Sequence, residues 1–231
     1  MKFKSVIFDI DGVLVDVSQS YRQAIQKTVE DFTGFYPTPE EIQKYKERGG
    51  LNNDWDLSEA IILDKGKKVP KQEIIDKFQE YYLGKNWDGF ITKEKLLLPK
   101  SCIESLAKKY KLGILTGRPR AEAEFILKYF QIFDLFEIIV AMEDTGDKPK
   151  PNPFGLNLAL KKLKIPSCYF GDSIDDMKAA VSAQMTGIGV IPPTVKNNTL
   201  KERLYLGGAK TVIDTVVDSE KAVSKLESEL V

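Results

Sequence analysis

The residues best placed to do chemistry come early in the chain. Asp9 and Asp11 stand two apart in Phe8-Asp9-Ile10-Asp11-Gly12, directly after the apolar run Val6-Ile7-Phe8. Side chains alternate along a strand, so a spacing of two sets both carboxylates on one side, converging beyond the strand's carboxyl end. Gly12 lets the backbone turn sharply out of the strand, at the edge where open α/β sheets bind ligands. Two close carboxylates repel, and a divalent cation is the natural means of keeping Asp9 ionised while Asp11 holds a proton. Taken alone, a turn that favours Asp and Gly explains the same residues.

Three further clusters follow strand-like runs. Gly113-Ile114-Leu115 ends in Thr116-Gly117-Arg118-Pro119, a hydroxyl and free amides at the start of a helix, which make a ready anion site and equally a good N-cap. The run from Ile138 to Met142 is followed by Lys148-Pro149-Lys150-Pro151-Asn152-Pro153, where prolines stiffen a loop whose lysines either reach a phosphoryl group or stand solvated. Tyr169-Phe170 leads into Gly171-Asp172-Ser173-Ile174-Asp175-Asp176, hard oxygen ligands suited to Mg²⁺, or an acidic cap on the next helix. Each cluster has an ordinary structural explanation by itself. Four of them, in this order at four strand ends, do not arise readily by chance.

Composition removes the rival chemistries. The 231 residues contain no histidine, which excludes Ser-His-Asp and Cys-His nucleophiles, His-coordinated zinc and phosphohistidine intermediates. Cys102 and Cys168 cannot build a disulfide framework or a four-thiolate zinc site, and neither is followed six positions later by the Arg of thiol-based phosphatases. Carboxylates and lysines must carry any catalysis. Lys plus Arg and Asp plus Glu balance at 34 each, so no overall field draws the molecule to nucleic acid or an acidic membrane, and neither is expected as a partner. The longest apolar runs fall far short of the roughly 20 residues a membrane helix needs. The start of the chain lacks a signal-peptide pattern. A cytoplasmic protein is expected, in which the Asn197-Asn198-Thr199 sequon is a chance match.

These side chains need a scaffold that brings strand ends together. Short β-branched and aromatic runs at Val6-Ile7-Phe8, Leu112 to Leu115, Glu137 to Ala141, Tyr169-Phe170 and Gly187 to Ile191 alternate with amphipathic segments of helical length. Runs without polar alternation suit strands buried on both faces, hence a doubly wound α/β fold with a parallel sheet. The stretch from about Asp16 to Lys95 differs. It shows helical periodicity around Tyr21-Ala24-Ile25-Thr28-Val29-Phe32 and in three later segments, with Ser18, Thr38 and Asp54 as candidate N-caps and no convincing strand. The expected organisation is an α/β core formed by 1–15 and 97–231, with a helical domain, 16–96, inserted between its first two strands.

In their order and positions these motifs resemble the haloacid dehalogenase-like hydrolase superfamily, whose members carry an Asp-x-Asp after the first strand, a Ser/Thr after the second, a Lys, and a Gly-Asp acidic pair. The resemblance implies that Asp9 attacks phosphorus to form an aspartyl phosphate, while Asp11 protonates the leaving oxygen and later deprotonates the hydrolytic water. It implies that Thr116 and the Gly117 amide hold phosphate oxygens, and that Lys148, first of Lys-Pro-x-Pro, offsets charge at Asp9 ahead of Lys150. It places Mg²⁺ at Asp172 with Asp9 and the Ile10 carbonyl, counts Asp11 among the acids of the metal site, and takes Asp176, with Asp175 as the alternative, from the last pair. Dehalogenase members lack an acid/base at the position of Asp11 and need no Mg²⁺, so Asp11 argues for phosphoryl chemistry. A helical insert at this point resembles the phosphoglycolate phosphatase and β-phosphoglucomutase branch, whose caps exclude water and read the leaving group.

Within the insert, the connection from Lys46 to Trp55 supplies Arg48, Gly49, Asn52 and Asn53 as candidate substrate contacts. A plain helix connection with Gly49 as C-cap and Asp54 as N-cap accounts for it equally. With Thr116-Gly117-Arg118-Pro119-Arg120, this stretch also resembles a subgroup associated with histidine biosynthesis and histidinol-phosphate phosphatase activity, an association of context and not of catalytic motif. Arg118 is expected to bind a second anionic group of the substrate or to pair with the Glu143-Asp144 loop. Gly84 and Gly89 have P-loop spacing but lack the Lys and Ser/Thr, and Gly187-Ile188-Gly189 lacks a third glycine, so no nucleotide cofactor is implied. The favoured function is hydrolysis of a small phosphorylated metabolite by a monomer or homodimer. A phosphomutase or a non-catalytic binding protein on this fold are the alternatives.

Overall fold

The computed structural model describes residues 2–47, 53–163, 165–195 and 199–229; Arg48, Gly49 and Asn52 lie outside the described residues. In chain order the elements are β1 (Ser5–Phe8), β2 (Val15–Asp16), α1 (Tyr21–Thr33), α2 (Pro39–Glu47), α3 (Asp54–Asp64), α4 (Lys71–Tyr82), β3 (Lys95–Leu96), α5 (Lys100–Lys109), β4 (Lys111–Leu115), α6 (Arg120–Tyr129) and β5 (Ile138–Val140). They continue as α7 (Met142–Thr145), α8 (Phe154–Lys162), β6 (Ser167–Gly171), α9 (Ile174–Ser182), β7 (Thr186–Val190), α10 (Thr199–Leu206), β8 (Thr211–Ile213) and α11 (Ser219–Glu229). The chain divides into two compact units, Met1–Asp16 with Leu96–Val231, and Val17–Lys95.

The first unit is the expected doubly wound α/β fold, built on a six-stranded sheet of order β5-β4-β1-β6-β7-β8. Every strand pair in it is parallel. The strands are apolar along their length because both faces are covered. On one face Ile7, Leu115 and Tyr169 pack with Leu156, Ala159 and Leu163 from α8 and its end and with Ala179 and Ala180 of α9. On the other, Phe8 and Phe170 stack with ring centroids 4.9 Å apart. Gly113 in β4 admits this packing, since a Cβ there would lie 2.7 Å from the Leu163 side chain.

The register positions the chemistry. Phe8 pairs with Ile114 on one side and with Phe170 on the other, so the carboxyl ends of β1, β4 and β6 finish level. From β1 the chain builds outward through β4 and β5, then returns to the opposite side for β6, β7 and β8. The crevice at β1 is therefore the topological switch point, where doubly wound sheets bind ligands.

The second unit is helical. In α1 the residues Ala24, Ile25, Thr28 and Val29 are buried, one stripe of a 3.6-residue period, and it packs with α3 and α4. Tyr21 stacks on Tyr82 with centroids 4.3 Å apart. The helix stops where Gly34, at φ 72°, donates its N–H to the Glu30 carbonyl. Thr38 caps α2 reciprocally, its hydroxyl accepting from Glu41 N at 3.2 Å while Glu41 Oε2 accepts from Thr38 N at 2.8 Å. Two other caps differ from expectation. Asn53, not Asp54, caps α3, because its Oδ1 reaches both Trp55 N at 2.8 Å and Asp56 N at 3.3 Å. Ser20, not Ser18, occupies the N-cap position of α1, and its hydroxyl makes no cap bond. A separate two-stranded sheet joins β2 and β3. No described helix is long and apolar enough to cross a membrane.

Candidate active site

Asp9 follows β1 and continues the strand ladder by donating its N–H to the Phe170 carbonyl at 2.9 Å. Its side chain is buried. Oδ1 accepts from the Ile10 N–H at 2.7 Å and Oδ2 accepts from Lys150 Nζ at 2.7 Å. The turn that follows is tight enough to require glycine: Gly12 sits at φ +72°, and a Cβ there would fall 2.2 Å from Asp172 Oδ2. The same turn employs the Ile10 carbonyl, which accepts from the N–H groups of Val13, Leu14 and Val15 at 3.3, 2.9 and 2.9 Å. With three donors on its two lone pairs this oxygen is not available as the metal ligand the sequence led us to expect.

The lysine beside Asp9 is Lys150, which corrects the preference for Lys148. Lys150 Nζ lies 2.7 Å from Asp9 Oδ2, 2.6 Å from Asp176 Oδ1 and 3.2 Å from the Tyr169 hydroxyl. The Lys148 amine instead sits 5.0 Å over the Phe154 ring. Asp176 is fully buried and spoken for on both oxygens. Oδ1 accepts from the Tyr169 hydroxyl at 2.8 Å, and Oδ2 accepts from the Ser173 N–H and hydroxyl at 3.0 and 2.6 Å, closing a capping box on α9. Tyr169 and Ser173 were not singled out from the sequence. A tyrosine inside a buried strand reads as core, and only its hydroxyl, carried to the strand's end by the register, marks it as something else.

The carboxylates of Asp9, Asp172 and Asp176 offer oxygens that all lie within 4.8 Å of one another. Asp11 and Asp175, also expected at the metal site, are not part of this cluster. Burial pushes the Asp9 carboxyl up to about 7 against the pull of Lys150, and burial with the Asp176 and Asp9 charges pushes Asp172 well above the carboxylate range. Burial also works to raise Asp176, but Lys150 and the hydrogen bonds from Ser173 and Tyr169 outweigh it and hold that acid low. Lys150 keeps its proton because Asp176 and Asp9 overcome the cost of its burial. Three carboxylates thus crowd together with one ammonium, which pairs with two of them. An all-oxygen cluster with surplus negative charge is the donor set a hard divalent cation takes, so these residues fit Mg²⁺.

Asp11 turns away from the cluster. Its Oδ1 accepts from Arg118 Nε at 2.7 Å and from Arg118 Nη2 at 2.5 Å. Arg118 is therefore buried against Asp11 and not exposed for a second substrate anion, the first of the two roles expected of it, the other being a pairing with the Glu143-Asp144 loop. Arg120 has that second role: its N–H donates to Glu143 Oε2 at 2.8 Å and its guanidinium bonds Asp144 Oδ2. Thr116, at the end of β4, is buried, and its Oγ1 accepts from Arg118 N at 3.2 Å. Gly117 beside it is exposed, with no atom within 4 Å of where a Cβ would stand. Of the expected contacts in the helical unit, Asn53 has its side-chain oxygen committed to capping α3.

Surface cavities of about 350 and 470 Å³ open beside β8 and α11, around Lys210, Leu226 and Glu229, and share no residue with the carboxylate cluster.

The family described as haloacid dehalogenase-like hydrolase matches residues 6–190, which spans both the Asp9 turn and the Asp172–Asp176 segment. This chain is a haloacid dehalogenase-like hydrolase. Among its relatives is a protein from Phytophthora nicotianae named imidazoleglycerol-phosphate dehydratase, 35% identical over 210 residues that make up 87% of this chain and 46% of that protein. The chain therefore spans about half the length of that relative. A phosphoglycolate phosphatase from Colwellia psychrerythraea is 26% identical over 207 residues, covering 80% of this chain and 83% of the other. Among solved structures, a candidate β-phosphoglucomutase from Thermotoga maritima superposes with a TM-score of 0.74 at 21% identity, covering 99% of this chain and 100% of that one, a likeness of fold. Membership of this family, together with a relative named a phosphatase, supports phosphatase activity on small phosphorylated substrates.

Proposed function

We propose that this hydrolase cleaves a small phosphate monoester in two steps through a phosphorylated Asp9. The observation that carries the reading is the state of that residue. Asp9 is a buried carboxylate fixed by one backbone N–H and one ammonium at the switch point of the sheet. The Asp9 oxygen attacks phosphorus and the ester oxygen leaves; water then attacks the acyl phosphate and regenerates the carboxylate. Lys150 offsets the charge gathered between Asp9 and the incoming phosphoryl group. Thr116 and the Gly117 amide hold its oxygens. Asp11 gives a proton to the leaving oxygen and takes one from the attacking water. Asp9 and Asp172, steadied by Asp176, would hold Mg²⁺, which when bound neutralises the surplus carboxylate charge and lowers the repulsion an anionic substrate meets.

Choice among small phosphate esters is assigned to the helical unit 17–95, as the resemblance to cap-bearing members implies. The name of the oomycete relative favours an imidazole-bearing alcohol phosphate, such as histidinol phosphate, as the first substrate to try. Phosphate release measured over sugar phosphates, phosphoglycolate, histidinol phosphate and nucleotides, with and without Mg²⁺, tests the reading. Release by the native protein that survives intact in Asp9→Asn would sink the covalent route. Isomer formation from a sugar phosphate without net phosphate would assign the site to a mutase instead.

A further inference from the structure

Arg118 is the bulkiest of the fully buried side chains among the described residues. A buried guanidinium is costly unless its donors are met, so where it points is informative. Two of its donors converge on a single oxygen, Oδ1 of Asp11, at 2.7 and 2.5 Å. The arginine side chain is 1% exposed while that of Asp11 is 34% exposed, so the ion pair has a buried, immobile end and an open one. The backbone beneath the arginine is pinned as well. Arg118 N donates to Thr116 Oγ1 at 3.2 Å, and the Arg118 carbonyl accepts from Met142 N at 2.9 Å. Asp11 is thus anchored from β4, across the sheet edge from its own strand, through the residue two places after Thr116.

We propose that Arg118 is a positioning residue that holds Asp11 by one carboxyl oxygen, so that the other oxygen meets the leaving group of the ester. The proposal rests on the assignment of Asp11 as acid and base given above. A carboxyl on a free side chain samples several rotamers, whereas two bonds to a planar fork fix both its χ1 and the plane of the acid. The arrangement makes Thr116-Gly117-Arg118 one device. Its first two residues receive phosphate oxygens, and its third aims the proton that the departing oxygen needs.

The test separates positioning from mere support of the fold by varying how much the leaving group needs a proton. Wild type, Asp11→Asn, Arg118→Gln, Arg118→Lys and the double variant Asp11→Asn/Arg118→Gln are assayed for kcat/KM with dinitrophenyl, p-nitrophenyl and phenyl phosphate in Mg²⁺. Dinitrophenol departs readily as its anion and phenol does not. Arg118→Gln is expected to lose about 100-fold on phenyl phosphate, within the range of a general-acid contribution, and under about 10-fold on dinitrophenyl phosphate. Asp11→Asn should show the same steepened dependence, and the double variant should lose little more than Asp11→Asn alone. Arg118→Lys keeps the buried charge, and with it the fold, but loses the fork; it should fall between wild type and Arg118→Gln. An equal loss on all three esters in Arg118→Gln, or a wild-type dependence in Arg118→Lys, overturns the positioning role. Additive losses in the double variant overturn it too. An active enzyme whose Asp11→Asn variant keeps the wild-type dependence sinks the acid role on which this one rests, and a wild type that releases phosphate neither from these esters nor from the metabolite phosphates named above sinks the phosphatase reading itself.

Discussion

Each unit of the molecule buries a carboxylate against a tyrosine hydroxyl, with opposite results. In the helical unit Glu94 is buried and its Oε1 accepts from Ser20 Oγ at 2.8 Å and from Tyr82 Oη at 3.1 Å. One acid there ties the start of α1, the end of α4 and the returning chain into a single knot. In the α/β unit Tyr169 likewise donates to Asp176, but Asp9 and Asp172 crowd the same space, and Lys150 pairs with Asp9 as well as with Asp176. A buried acid that two hydroxyls tie to neighbouring elements is a structural joint. Three acids around one ammonium hold charge that the fold itself leaves uncompensated, and the raised Asp9 and Asp172 record it. Burial of a carboxylate is common to both regions, and only the imbalance marks a site.

The comparison can be broken most directly at Asp9. Asp9→Asn is expected to reduce phosphate release by more than about 1,000-fold, because the nucleophile itself is gone, as a malachite-green assay will read. Lys150→Met should cost roughly 100-fold in kcat and, by leaving buried acids unpaired, about 3 kcal/mol of stability in urea unfolding. Lys148→Met should stay within about 0.5 kcal/mol of wild type, as surface changes do, with near-native turnover. A reversal of these two lysines would undo the assignment of Lys150.

Glu94→Ala should lower stability by about 1–3 kcal/mol through the loss of the bonds it accepts from Ser20 and Tyr82, while kcat at a permissive temperature changes by less than about threefold. A larger loss of activity than of stability there would erase the distinction between joint and site.

The smallest expected effect is a pH dependence of stability in the metal-free protein. The folded Asp9 carboxyl titrates near 7 and the unfolded one near 3.8, so between those values the folded state binds more protons and stability falls as pH rises. Thermal melts from pH 5 to 8 in EDTA should show this fall. Asp9→Asn should make it shallower, and excess Mg²⁺ should raise the melting temperature most at the alkaline end. Equal slopes for wild type and Asp9→Asn would remove the charge surplus from the explanation.

Much of this was legible beforehand because the signals are local. Unbroken apolar runs such as Val6-Ile7-Phe8 announce buried parallel strands, and they form β1 and its neighbours. The spacing of two in Asp9-Ile10-Asp11 announces a shared side beyond a strand end, but it does not say that the two carboxylates will part, one to Lys150 and the other to Arg118. Lys148 and Lys150 are also two apart, on one side of any extended loop, so alternation cannot choose between them. The Ile10 carbonyl was misjudged because its three donors come from a turn whose closure depends on Gly12 meeting Asp172 across the sheet.

By itself, then, the sequence determined the α/β class, the four strand-end clusters and, through the absence of histidine, the reliance on carboxylates and lysine. Tertiary structure alone decided which partner each of those side chains took. Strand periodicity and turn chemistry act over a few residues, whereas the bonds from Lys150 to Asp9 and from Arg118 to Asp11 cross 141 and 107 residues of chain. Such bonds exist only because the parallel register brings β1, β4 and β6 to finish side by side.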